Sequence, residues 1–60
     1  MRIKVFLNGY EHYLDKKNQV IYPSEHAING IHFDLAHDGQ TIYSNHLTKN
    51  EKEQLKKYLK

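Results

Sequence analysis

Four side chains that can bind a metal ion lie in one short run between two glycines: His32, Asp34, His37 and Asp38. Imidazole and carboxylate groups are common ligands of zinc, and a structural zinc site needs four ligands. Residues two apart in an extended strand share a face, so His32 and Asp34 point the same way. His37 falls on the opposite face, and Asp38 precedes a glycine in a turn. One strand therefore supplies two ligands rather than four.

A complete metal site would need further ligands from elsewhere in the chain, and His46 or His26 are the candidates. The spacings typical of zinc sites are missing, and the chain has no cysteine to supply thiolates. We therefore predict no metal and no other cofactor. Whether His32 and Asp34 meet His46 or His26 at a metal ion in the folded chain stays open.

Two further stretches place a serine close to a histidine, Ser24 to His26 and Ser44 to His46. Nucleophilic catalysis requires a base within hydrogen-bond reach and an oxyanion hole, whereas neighbouring positions usually point apart. The sequence contains no glycine-rich phosphate loop, nucleophile elbow or HExxH motif. A chain of 60 residues also has little material with which to enclose the ~300 Å³ typical of small-molecule sites. We predict that the protein is not an enzyme.

The N-terminal part of the chain predicts a β-hairpin around Asn8-Gly9, flanked by RIKVFL and YEHYL. This dipeptide supplies the positive φ values of a type I′ turn, whose two-residue loop pairs Leu7 with Tyr10. The same register pairs Val5 with His12 and Ile3 with Leu14. His12 then lies on the apolar face, where we expect a half-buried imidazole bonded to a tyrosine or a carbonyl.

A third strand, QVIY, follows the residues DKKN and ends at Pro23, which has no N–H to donate to a ladder. A three-residue loop with Asn18 in the left-handed conformation would place Leu14 opposite Val20 and His12 opposite Tyr22. This register keeps Val20 and Tyr22 on the apolar face. It places Ile21 on the opposite face.

A second hairpin is predicted after residues 23–30, for which a loop, a single helical turn and a strand stub are all open. Asn29-Gly30 and Asp38-Gly39 are two further dipeptides of the type I′ kind. The alternation from residue 31 places Ile31, Phe33 and Leu35 on one face. Leu35 would pair with Ile42 across the second turn.

A C-terminal helix is indicated by Thr48 and Glu51, which have the spacing of a capping box. Its apolar stripe consists of Leu55, Tyr58 and Leu59, and Lys56, Lys57 and Lys60 complement the dipole near its end. The predicted fold class is α+β: a small antiparallel sheet of two hairpin units, with about five short strands, followed by one C-terminal α-helix. We expect one domain over residues 1–60.

The composition indicates a small protein with a lean core. Hydrophobic residues make up 38% of the chain, and five tyrosines and two phenylalanines must supply much of the buried area. The net charge of +2 is far below that of a strongly basic nucleic-acid-binding domain. No apolar run has the length of a signal peptide or of a transmembrane helix. We expect a soluble, cytoplasmic protein that has no membrane partner.

The face of the first hairpin sheet opposite the apolar one carries the candidate partner-binding residues, Lys4, Phe6, Tyr13 and Ile21. Aromatic side chains beside cationic ones are typical of protein interfaces. We predict a small non-enzymatic protein-binding module. Such layouts are common among regulators of phage and mobile-element type, so a stoichiometric regulator or inhibitor of a larger partner is expected, with a homodimer as a further possibility.

Two other roles are open for the same face: it binds a nucleic acid, or the C-terminal helix covers it. A nucleic-acid-binding domain would use its aromatic and basic side chains to stack bases, and the lysine-rich helix to contact phosphates. The helix must also bury its own apolar stripe against a sheet face. We expect the helix to cover the face of Phe6 and Tyr13, with the second hairpin on the other side.

Overall fold

Two antiparallel sheets and one helix form the part of the chain that the computed structural model describes, residues 1–59. The first sheet has the order β1-β2-β3-β4, with strands at Ile3–Leu7, Tyr10–Asp15, Val20–Tyr22 and Ile31–His32. The second sheet pairs β5 (Asp34–Leu35) with β6 (Ile42–Tyr43), and helix α1 covers Lys49–Leu59. The fold is α+β as predicted, with six strands in place of about five. Lys60, the last of the predicted helix lysines, lies outside the described residues.

The first hairpin has the predicted register. Asn8 and Gly9 have φ values of 54° and 82°, which are the two positive values that a type I′ turn requires. Ile3 faces Leu14, Val5 faces His12 and Leu7 faces Tyr10. The His12 imidazole is half-buried and bonded to a carbonyl, that of Tyr10, as expected.

The loop between β2 and β3 is one residue longer than predicted. Asp15 faces Val20, so the loop consists of residues 16–19, and its left-handed residue is Gln19 rather than Asn18. The Asp15 carboxylate organises this turn, because it accepts bonds from the backbone N–H of Asn18 at 3.1 Å and from its side-chain amide at 2.9 Å. Asn18 therefore stabilises the turn through hydrogen bonds of its backbone N–H and its side chain, without adopting a left-handed conformation.

The longer loop shifts the pairing of β3 by one residue, and such a shift exchanges the two faces of a strand. Leu14 faces Ile21 and Tyr13 faces Tyr22. The predicted pairs of Leu14 with Val20 and of His12 with Tyr22 are therefore wrong. Ile21 lies on the apolar face, and Tyr22 lies on the opposite one.

Residues 23–30 form a loop with one turn, in which the Ala27 N–H donates to the Ser24 carbonyl. The strand stub considered for this segment is absent. Neither Asn29 nor Gly30 has a positive φ, so the type I′ turn that this dipeptide was able to supply does not form. Gly30 instead packs closely against the backbone of β3.

The second hairpin contains the predicted pair of Leu35 and Ile42. Its loop is wider than a type I′ turn: the Ala36 N–H donates to the Thr41 carbonyl, and of the dipeptide Asp38-Gly39 only Gly39 has a positive φ, 73°. The strand that enters this hairpin is split around Phe33. Its first part, β4, joins the first sheet, and this split accounts for the additional strand.

Asp38 makes the stability of this loop dependent on pH. Its carboxylate accepts bonds from the backbone N–H groups of Thr41 and Gln40 and from the Thr41 hydroxyl, which lower its pKa from the ordinary 3.8 to about 2. A lowered pKa stabilises the folded state above about pH 4 and ceases to do so as the pH falls through 2. We expect Asp38→Asn to be less stable than the wild type at pH 6 and to approach it near pH 2. Melting curves across this range test it, and a difference that is constant with pH would contradict it.

Helix α1 begins with the predicted capping box. The Glu51 carboxylate accepts from the Thr48 N–H at 2.8 Å, and the Thr48 hydroxyl accepts from the Glu51 N–H at 3.2 Å. Leu55 is the buried residue of this helix, with Tyr58 and Leu59 half-buried against the core. At eleven residues, the described helix is neither long nor apolar enough to span a membrane.

Helix and second hairpin pack on the same face of the four-stranded sheet. The buried core consists of Val5, Leu7, Leu14, Ile21, Phe33, Ile42, Leu47 and Leu55. The sheet residues in this cluster all belong to the apolar face. Our expectation that the helix would cover the face of Phe6 and Tyr13 is therefore wrong, because Ile21 completes a continuous apolar surface on the other side.

Side chains of the helix also protect the outer edge of β1. The Phe6 N–H donates to the Tyr58 hydroxyl at 3.1 Å. Gln54 bonds to both the backbone and the side chain of Asn8. An exposed strand edge is a template for pairing with another chain. These bonds occupy part of the β1 edge, so that edge is less available for such pairing.

Candidate functional site

The face of the four-stranded sheet opposite the helix is the candidate functional site, and we refer to it as the open face. Cross-strand pairs place Lys4 beside Tyr13, Phe6 beside Glu11, and Tyr13 beside Tyr22. The accessible residues of the open face are Arg2, Lys4, Phe6, Glu11, Tyr13 and Tyr22, whereas the cross-strand pair of Asp15 and Val20 on the same side of the sheet is buried. The Phe6 side chain is its largest exposed apolar group, with 50% of the residue accessible to solvent.

The open face includes one carboxylate that bonds to two of its neighbours. Glu11 accepts a hydrogen bond from the Tyr13 hydroxyl at 2.8 Å and forms an ion pair with Lys4 at 3.5 Å. The bond from Tyr13, assisted by the charge of Lys4, lowers the pKa of Glu11, and the same bond raises the pKa of Tyr13. Glu11 is therefore ionised at neutral pH, and Tyr13 is held in one orientation.

Arg2 joins the open face to the loop of residues 23–30. Its guanidinium carbon lies 3.4 Å from the centre of the Tyr22 ring, which is a cation–π contact. The same guanidinium donates to the carbonyl of Glu25 at 2.8 Å and to that of Ser24 at 3.5 Å. Alternation along β1 places Arg2 on this face, but the predicted register had Tyr22 on the other, so sequence reasoning missed their contact.

Three of the four predicted partner-binding residues lie on the open face: Lys4, Phe6 and Tyr13. The fourth, Ile21, has 1% of its surface exposed and belongs to the core. Its placement on this face was wrong, because the β2–β3 loop is one residue longer than predicted and reverses the faces of β3. Ile21 is therefore removed from the candidate surface.

The metal hypothesis depends on whether His32 and Asp34 meet His46 or His26. His32, Asp34 and His46 line one shallow depression of about 260 Å³, together with Tyr43, Ser44 and Asn45. Within residues 1–59, however, no three histidine, cysteine, aspartate or glutamate side chains are grouped so that they could hold a metal ion. His26 lies in the exposed loop, where it contacts Glu25 at 3.5 Å.

The Ser44 hydroxyl in this depression is engaged with the backbone. It donates to the His32 carbonyl at 3.2 Å and accepts from the His46 N–H at 3.3 Å. These bonds fix the chain after β6 against β4. They use the hydroxyl for structure, whereas a nucleophilic serine would direct it to the ring nitrogen of a base.

The fold and the site define a small α+β domain with an open aromatic and cationic sheet face. No protein-family model, curated protein or solved structure matches the chain. Function is therefore inferred from the chemistry of the open face.

Proposed function

We propose that the protein is a small non-enzymatic module that binds a larger protein partner through the open face. The observation that carries the proposal is the half-exposed Phe6 in a sheet face that neither the helix nor the second hairpin covers. Lys4 and the oriented Tyr13 lie beside it. Aromatic residues of this kind supply most of the binding energy at protein interfaces, surrounded by polar groups that exclude water.

The charges of the open face favour a protein partner over a nucleic acid. The ionised Glu11 would repel a phosphate backbone, and it already pairs with Lys4. Arg2 is engaged with Tyr22 and with two carbonyls. On the helix, Lys56 pairs with Glu53 at 2.9 Å. Phosphate recognition depends on cations that are free to displace counterions, and these cations have partners within the chain.

The proposal includes a cytoplasmic location and a stoichiometric mode of action. A small module that binds its partner through a sheet face acts by covering a surface of that partner, as a regulator or inhibitor does. A homodimer formed through the open face is the competing assembly. Analytical ultracentrifugation of the purified protein at several concentrations separates the two, since a dimer would occupy the face before the partner arrives.

The test of this proposal is to immobilise the protein and to pass lysate of its native cells over it, with and without nuclease. We expect one nuclease-resistant protein to be retained in near-stoichiometric amount. Phe6→Ala should reduce its affinity by about tenfold or more, because loss of a hot-spot aromatic costs ~2 kcal/mol. The matched control is Tyr43→Ala, which removes an aromatic residue of similar exposure, 58%, from the second sheet.

Two results would overturn this proposal. Retention that is broad, sensitive to nuclease and steeply reduced by salt would identify nucleic acid as the partner. If Phe6→Ala and Tyr43→Ala lower the affinity for the retained protein equally, or if neither lowers it, the open face does not bind that protein. Circular dichroism of both variants establishes that they remain folded.

A further inference from the structure

The opposite side of the four-stranded sheet contains an apolar depression that is separate from the open face. It has a volume of about 310 Å³ and is lined by His12, Ile21, Pro23, Asn29, Gly30 and Ile31. We refer to it as the His12 pocket. This volume reaches the lower end of the range of small-molecule sites, about 300–1,000 Å³, which was not expected for so short a chain.

The pairing of β3 with β4 determines which residues form the walls of the His12 pocket. Ile21 and Ile31 are cross-strand partners on the apolar face, and Ile21, almost fully buried, lies at the bottom. Pro23 directly follows β3 and closes one side. None of the six lining residues is a lysine or an arginine, so the pocket has no permanently charged cation with which to bind a phosphate or a carboxylate.

His12 supplies a directed polar group to this apolar surface. Its Nδ1 lies 2.9 Å from the Tyr10 carbonyl. A carbonyl only accepts hydrogen bonds, so Nδ1 carries a proton, and whenever the ring is neutral Nε2 is an acceptor. A ligand that complements the pocket therefore has an apolar body and one hydrogen-bond donor.

We propose that the His12 pocket binds a small neutral phenol. The ring would contact Ile21, Ile31 and Pro23, and the hydroxyl would donate to Nε2 of His12. One aromatic ring suits the volume, and a phenolic O–H is a stronger donor than the hydroxyl of an aliphatic alcohol. The proposal does not depend on the open face, because the two sites lie on opposite sides of the sheet.

The test is a titration of the isotopically labelled full chain with p-cresol, followed by the amide resonances in NMR spectra. We expect saturable shifts centred on Ile21, Gly30 and Ile31, with a ~millimolar Kd, as is typical of a single-ring ligand in an open site. Toluene, which has nearly the same shape but no hydroxyl, should bind at least about fivefold more weakly, because a hydrogen-bonding site discriminates against a ligand that leaves its polar group unpaired. N-acetyltyrosinamide, which presents the ring as a peptide does, should not bind more tightly than p-cresol.

His12→Leu provides the decisive variant, because it removes the acceptor and keeps an apolar side chain of similar size. It should reduce p-cresol binding to the level of toluene, whereas His37→Leu, in the loop of the second hairpin, should not change it. Equal binding of toluene and p-cresol, shifts centred elsewhere, or an unaffected His12→Leu variant would overturn the proposal. Tighter binding of N-acetyltyrosinamide would overturn the assignment to a free phenol and indicate a tyrosine of a partner. If His12→Leu fails to fold, the comparison with toluene decides by itself.

Discussion

Leu55→Ala is expected to lower the free energy of unfolding by about 2–5 kcal/mol, the range for loss of a buried leucine side chain. Leu55 is the residue of α1 with no exposed surface, and it packs with Val5, Leu7 and Leu14 of the sheet. A core of this size supplies only ~3–5 kcal/mol of net stability. We therefore expect a large fraction of the variant to be unfolded at room temperature.

Urea denaturation followed by circular dichroism measures this effect. The control is Asn50→Ala, at an exposed position of the same helix, where the change should stay within about 0.5 kcal/mol. A Leu55→Ala variant with the same urea midpoint as Asn50→Ala would contradict the packing of the helix on the apolar face. That result would also remove the reason why the face of Phe6 is open.

The elements that could be predicted are those defined by local interactions. The first hairpin follows from Asn8-Gly9, because both residues of a two-residue turn adopt positive φ values and the turn then determines every pair. The helix start follows from Thr48 and Glu51, whose side chains bond to each other's backbone. Lys4, Phe6 and Tyr13 lie within the first hairpin, so their common face was predictable as well.

The register of β3 could not be predicted from the apolar pattern. Val20, Ile21 and Tyr22 are consecutive apolar residues, so either alternate set could have faced the core. The length of the preceding loop decides the matter, and it depends on the bonds of the Asp15 carboxylate to Asn18 and on the left-handed Gln19. Gln19 is not a residue type for which this conformation is expected.

The helix was predicted on the wrong face of the sheet because the register of β3 was predicted wrongly. With Ile21 beside Leu14, one face of the sheet is continuously apolar. The other face then carries Arg2, Lys4 and Glu11, which a helix could bury only at the cost of desolvating charges. The correct length of one loop would therefore have been sufficient to predict which face stays open.

Gly30→Ala is expected to destabilise the protein by about 1–3 kcal/mol, the range for overpacking of a well-packed site. A Cβ at Gly30 would lie 2.6 Å from the Ile21 carbonyl oxygen, 2.6 Å from a methyl carbon of Val20 and 2.8 Å from the Tyr22 ring. The carbonyl oxygen belongs to β3, which is paired on both sides. Because β2 also holds β3 in place, β4 must move instead. This movement weakens the pairing of β4 with β3.

The sign of this effect separates two physical explanations. Gly30 does not have a positive φ, so alanine can adopt its backbone conformation, and chain entropy alone would make Gly30→Ala stabilising by about 0.4–1 kcal/mol. Gly39→Ala is the matched control: its Cβ would meet nothing within 4 Å, but its φ of 73° disfavours alanine by ~1 kcal/mol. We expect the urea midpoint to fall in both variants, and further in Gly30→Ala. A rise in the midpoint of Gly30→Ala would show that β4 does not pack closely on β3, and the His12 pocket, which Gly30 lines, would lose its wall.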